Sequence, residues 1–201
     1  VRESFWKNRK CIMGANGWDE DPVCKEGYEA PVKSIGNSTT TPRDLENDLD
    51  VWIIQIALAE SVAARLRKHG FKCKTVEITV RDNGLYSFSR QIHLRQPTNI
   101  TNEIVTAAFQ LFKDNYKWEH PIRSLGIRAA DLVLDDIPVQ LDLFGNQEKK
   151  EKLEKLDRTV DEIRRRFGYF SIQRAAMYQD KVLSHLDAGT HTIHPHSYFH
   201  G

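Results

Sequence analysis

The chain has 201 residues, of which 40% are hydrophobic and 28% charged, with a formal net charge of +1. This is ordinary globular material, long enough for one good core with extensions. The three cysteines, Cys11, Cys24 and Cys73, are odd in number and lack Cys-x-x-Cys spacing. That indicates neither a disulfide framework nor a zinc site and fits a reducing cytoplasm. No apolar run reaches transmembrane length and no signal peptide opens the chain, so no membrane partner is expected. The first residue is Val1 rather than Met, which suggests a segment of something longer. Acidic residues concentrate at 44–50 and 131–162 while much of the middle is basic and polar, so local charge says more about partners than the total.

Residues 4–13 predict a short helix that stops at Asn16-Gly17 and Asp21-Pro22. Residues 24–32, with Gly27 and Pro31, read as a tether. The pattern turns regular at Lys33, and the Ser/Thr-rich run from Ser34 to Thr41 suits a strand with at least one wet face. Thr41-Pro42 predicts the start of a long helix, Thr41 as its cap and Asp44 in the first turn. Leu49, Trp52, Ile53, Ile56, Ala63 and Leu66 then recur at helical spacing until Gly70. Two strands over 73–81 and 86–94 are joined through Asp82-Asn83-Gly84, a hairpin signal. In them Val76, Ile78, Val80, Phe88, Ile92 and Leu94 alternate with polar residues, and Arg90 falls in the dry register. A helix over 102–116 carries Ile104, Ala108, Leu111 and Phe112, and a strand over 122–130 closes the unit. Beyond Gly145, Leu153, Leu156, Val160, Ile163 and Phe167 predict an amphipathic helix ending at Gly168. A shorter helix over 171–186 is expected to pack through Ile172, Ala176, Leu183 and Leu186. The His-rich end, His191, His194, His196 and His200, reads as a loose tail rather than a metal site, since Pro195 interrupts it.

The order strand, helix, strand, strand, helix, strand predicts an α+β fold: a split βαβ sandwich, four strands backed by two helices, with a C-terminal helical extension. Both helices must cover the same apolar face. The other face of the sheet is left free, and function is sought there.

Several segments together resemble the C-terminal part of a Y-family DNA polymerase, the translesion (DinB/UmuC-like) class that copies past damaged bases. The matching residues are Ala15-Asn16-Gly17-Trp18-Asp19 with Pro22-Val23, Lys33-Ser34-Ile35-Gly36-Asn37, Val62-Ala63-Ala64-Arg65-Leu66-Arg67, and Arg123-Ser124-Leu125-Gly126-Ile127-Arg128. Gln140-Leu141-Asp142-Leu143-Phe144 resembles the peptide with which bacterial polymerases and repair proteins hold the sliding clamp. It pairs a polar head with adjacent apolar anchors, and Pro138 and Gly145 mark an exposed connector around it. The resemblance implies the close of a thumb domain at 1–23, a tether at 24–32, a little-finger DNA-binding domain at 33–137, a clamp-binding segment at 138–145, a helical extension at 146–187 and a loose tail at 188–201.

It also implies a non-catalytic part of an error-prone enzyme. A palm domain with metal-holding carboxylates has no place in this chain, and Asp19-Glu20-Asp21 reads as a solvated turn. No cofactor is therefore expected here, with magnesium confined to the absent palm. The implied partners are primer-template duplex DNA, the sliding clamp and the remaining polymerase domains, with this chain a monomer. The residues expected to grip duplex phosphates without reading bases are Lys33, Ser34, Gly36, Ser38, Thr40, Thr75, Arg81, Ser89, Arg90, Gln91, Arg123, Ser124, Gly126 and Arg128. A stand-alone clamp-binding adaptor that does not touch DNA is the competing reading. A hydrolase or transferase finds no nucleophile with its base, no phosphate loop and no metal-ligand spacing.

Overall fold

The computed structural model describes residues 32–136 and 147–184. Strands β1 (Ser34–Leu45), β2 (Phe71–Asp82), β3 (Ser87–Thr98) and β4 (Ile122–Leu134) form one sheet in the order β1-β4-β2-β3, every pair antiparallel. Helices α1 (Asp48–Lys68) and α2 (Thr101–Asn115) cover one side of it. The expected split βαβ sandwich is therefore the observed fold.

The predicted start of the long helix is corrected. Strand β1 runs on to Leu45, which pairs with Ile122 after a register shift, and Pro42 falls in that irregular stretch. β1 is an edge strand, so a missing N–H there removes no obligatory ladder bond. The Thr41 hydroxyl caps nothing; it donates to the Arg123 carbonyl at 3.0 Å. Asn47 is the cap instead, its side chain accepting from the Asp50 amide at 3.0 Å. At the far end Gly70 takes φ +67°, the left-handed geometry that ends a helix without a Cβ penalty.

Helix α1 is buried on several sides, from Val51, Ile53 and Ile54 to Val62, Ala63 and Leu66. It lies between the sheet, α2 and the C-terminal segment, so an apolar stripe on one face would not suffice. The core joins these residues to Val76, Ile78 and Val80 of β2, Leu125, Ile127 and Ala129 of β4, and Ile104, Ala108 and Phe112 of α2. At the hairpin the left-handed residue is Leu85, φ +72°, rather than Asn83 or Gly84. The turn is held by the Asp82 carboxylate accepting from the Tyr86 amide at 3.0 Å.

Helix α3 (Gln147–Phe167) forms as expected, with Leu153, Val160 and Ile163 of its apolar stripe half-buried. Leu156 and Phe167 are exposed, while its most buried side chain is Asp157. That carboxylate accepts from the Thr101 amide at 2.8 Å, capping α2, whose own cap residue Ile100 offers no side-chain bond. The predicted single helix over 171–186 is a second correction. The chain makes 3-10 turns at Tyr169–Ser171 and Ala175–Gln179 and then a short helix α4, Lys181–Ser184. Met177 and Leu183 are pushed into the core, Arg164 donates to the Ile172 carbonyl, and Asp180 accepts from the Val182 and Leu183 amides. These tertiary anchors override helical periodicity.

Candidate nucleic-acid interface

Across the sheet the register lines up four rungs on the side away from the helices. They are Ser34, Ala130, Thr75 and His93; Gly36, Arg128, Glu77 and Gln91; Ser38, Gly126, Thr79 and Ser89; and Thr40, Ser124, Arg81 and Ser87. The intervening residues Ile35, Asn37 and Thr39 of β1, and Val76, Ile78 and Val80 of β2, are buried toward α1 and α2. Helix α3 bonds to α1 and to the start of α2, on the helix side, through Arg67 with Asp157 and Asp161 and through Asp157 with Thr101. It leaves the rungs bare.

The face is rich in hydroxyls and has a single carboxylate on its rungs, Glu77. Arg128 is tied to that carboxylate through Nε at 2.9 Å and through a shorter bond from Nη2. Arg123 donates to the Thr41 carbonyl at 3.0 Å and meets Asp44 at 3.5 Å, at the rim where the ladder shifts register. Arg81 is exposed and has no ion-pair partner among the described residues. Arg81, Arg123, Thr40, Ser124 and Asp44 line a shallow cavity of about 470 Å³ at this end of the face. Gly36 and Gly126 keep the surface low. A Cβ at Gly36 would meet Cβ and Cγ of Arg128 at 3.2 Å, and one at Gly126 would meet the Ser38 Cβ at 3.0 Å.

Most of the residues expected from sequence therefore share one surface, with two exceptions. Arg90 pairs with Ile78 in the helix-side register, lies over the Phe88 ring at 5.4 Å and donates to Asn115 at 3.3 Å. Thr75 is on a rung but 3% exposed, its hydroxyl spent on Asp131 and His93. Lys33 is exposed just before β1. Thr79, Ser87 and His93 belong to the face and were missing from the expected contacts, although the same alternation that marked Ser89 and Gln91 included them. The clamp-type residues Gln140, Leu141, Asp142, Leu143 and Phe144 and the four tail histidines lie outside the described residues. Among the described residues no helix is long and apolar enough to cross a membrane, and no group of three or more His, Cys, Asp or Glu is placed to hold a metal.

Residues 32–143 match the impB/mucB/samB family C-terminal domain, and the chain belongs to that family. The resemblance to the C-terminal region of Y-family polymerases is thereby met. DNA polymerase IV of Acetivibrio thermocellus is 45% identical over 172 residues, 86% of this chain and 43% of that protein. DNA polymerase IV 2 of Bacillus subtilis is 36% identical over 168 residues, 82% of this chain and 39% of that protein. The chain thus spans about two fifths of the length of these curated relatives. A solved chain from a complex of the beta-clamp processivity factor and the little finger domain of PolIV overlaps at TM-score 0.43 and 15% identity, covering 56% of this chain and 99% of that one.

Proposed function

We propose that this chain is the duplex-gripping C-terminal part of an error-prone Y-family DNA polymerase, acting in translesion synthesis and DNA repair in the cytoplasm. The parent enzyme joins nucleotides; this part holds primer-template DNA by its backbone and docks on the sliding clamp through residues 140–144. One observation carries the reading. Four rungs of mostly Ser, Thr, Gly, Gln and Arg are left uncovered by the described residues, whose helices all pack behind them. Hydroxyls and guanidinium groups on a flat sheet reach phosphate oxygens and carry no base code. The grip is weak by design of charge, because Arg128 and Arg123 already face carboxylates. Clamp docking raises the effective concentration of the duplex contact, so two weak holds act in series.

The test is fluorescence anisotropy with blunt duplexes of unrelated sequence over a range of salt. Affinity should be independent of sequence and fall with salt at a log–log slope of about −3, as for three phosphate contacts. Clamp binding with no salt-dependent duplex binding would instead favour the adaptor.

A further inference from the structure

Between α1 and α3 lies a cleft of about 830 Å³, on the helix side of the molecule and apart from the rungs. Its lining includes Arg65, Arg67, Lys68, Arg158, Arg164 and Arg165 against the acids Glu60, Asp161 and Glu162. The acids are already engaged: Glu60 by Arg164 and Arg174, Asp161 by Arg67, and Glu162 by Arg166. Arg158 is likewise held by Asp135 and Glu154. Three cations are left over. Lys68 is exposed with no ion-pair partner among the described residues, and Arg165 is 76% exposed with its nearest carboxylate, Glu162, at 4.0 Å. Arg65 donates only to backbone carbonyls, Gly36 at 2.6 Å and Ser61 at 3.5 Å, and its Nη1 has no protein acceptor among the described residues. Burial lowers the Arg65 pKa, as expected for a partly desolvated guanidinium without a counter-ion.

We propose that this cleft is a second nucleic-acid site, one that takes the phosphates of a single strand. Surplus cations beside an aromatic side chain are single-strand chemistry, and Tyr169 lines the same cleft, its ring held between the engaged Arg164 at 4.6 Å and the edge-on Phe170 at 5.2 Å. Arg65 also fixes where the cleft begins: its bond to the Gly36 carbonyl joins the cleft to β1, the edge strand of the open face. The cleft therefore begins beside an edge of the face, with Arg65 as the cation nearest to it. The proposal rests on the open face holding duplex, and so it extends that reading.

The experiment uses the full chain with three probes: a labelled oligothymidylate of about 16 nucleotides, a blunt duplex, and poly-glutamate as a competitor. The K68Q/R165Q variant changes only exposed side chains, so folding is kept, and R65Q is added as a third change. K68Q/R165Q should weaken oligothymidylate binding about tenfold and flatten its salt slope by about 1.4, twice the single-strand value per phosphate. Its affinity for blunt duplex should match that of the parent chain. Arg81→Gln should do the reverse. Oligothymidylate affinity unchanged in both K68Q/R165Q and the triple variant would overturn the site, as would a parent chain that binds no single strand. Poly-glutamate competing as well as DNA would overturn its assignment to nucleic acid. Loss of salt-dependent duplex binding alone counts against the open face; the single-strand result then supports or sinks the cleft by itself.

Discussion

Glu60 on α1 and Arg164 on α3 meet at 2.9 Å with side chains 6% and 11% exposed. The same carboxylate takes Arg174 at 2.8 Å, and Arg164 also donates to the Ile172 carbonyl, so one buried acid gathers the helix and the turns that follow it. Removing one partner of a buried pair leaves charge without compensation. Glu60→Ala should cost about 3–5 kcal/mol in urea unfolding, or release the C-terminal segment, read as faster amide exchange over 164–184. Glu162→Ala, at an exposed acid, should change stability by less than about 1 kcal/mol.

On the open face, Arg81 and Arg128 differ in what they already hold. Arg81→Ala should lower the duplex salt slope by about 0.9, one phosphate contact. Arg128→Ala should do less, because Glu77 occupies that guanidinium in the free protein. Glu77→Gln removes the carboxylate from the rungs and should tighten duplex binding, measured by anisotropy at fixed salt. An unchanged or weaker affinity would count against the face.

Leu143→Ala with Phe144→Ala should abolish clamp binding and leave duplex binding nearly intact. The pentapeptide alone should bind clamp at roughly micromolar affinity, about 8 kcal/mol. Surface plasmon resonance on immobilised clamp reads both values, and equal loss of clamp and DNA binding would refute the division of labour.

Acid should loosen the fold at three carboxyls. Bonds from Lys113 and Trp118 hold Asp48 below the ordinary range, and bonds from Arg43 and the Leu183 amide hold Asp180 below it. At Asp135 burial pulls upward but is outweighed by Lys72 and Arg158, so its pKa is also lowered. A lowered folded pKa gives stability that is present above the unfolded value of about 3.9 and lost as pH falls through the folded one. Tm should therefore decline as pH drops below about 4, and Asp180→Asn should reduce that dependence.

Burial pushes the Cys73 thiol up to about 12, and its Sγ donates to the Thr98 carbonyl at 3.3 Å. Iodoacetamide at pH 8 should leave the peptide containing Cys73 unmodified in the folded chain and alkylate it in urea, read by mass spectrometry.

Sequence alone determined which residues of each strand share a face, because alternation is a property of neighbours two apart, but it did not mark the polar Asn37, Thr39 and Thr75 as buried. Val76, Ile78 and Val80 could face only one way, and Ser34, Gly36, Ser38 and Thr40 had to face the other. It determined the element order, and with it a sheet with one free face. Tertiary structure decided what is spent and what is free. Arg128 meets Glu77 across 51 positions, and Arg67 meets Asp161 across 94, so no local pattern separates them from Arg81 or Arg65. It also decided that α3 is held through Asp157, Asp161 and Arg164 while Leu156 and Phe167 stay exposed, and that Thr41-Pro42 continues a strand instead of opening a helix. Periodicity reports which side of an element is apolar; the partners of a charge depend on strand order and helix placement, which only the folded chain supplies.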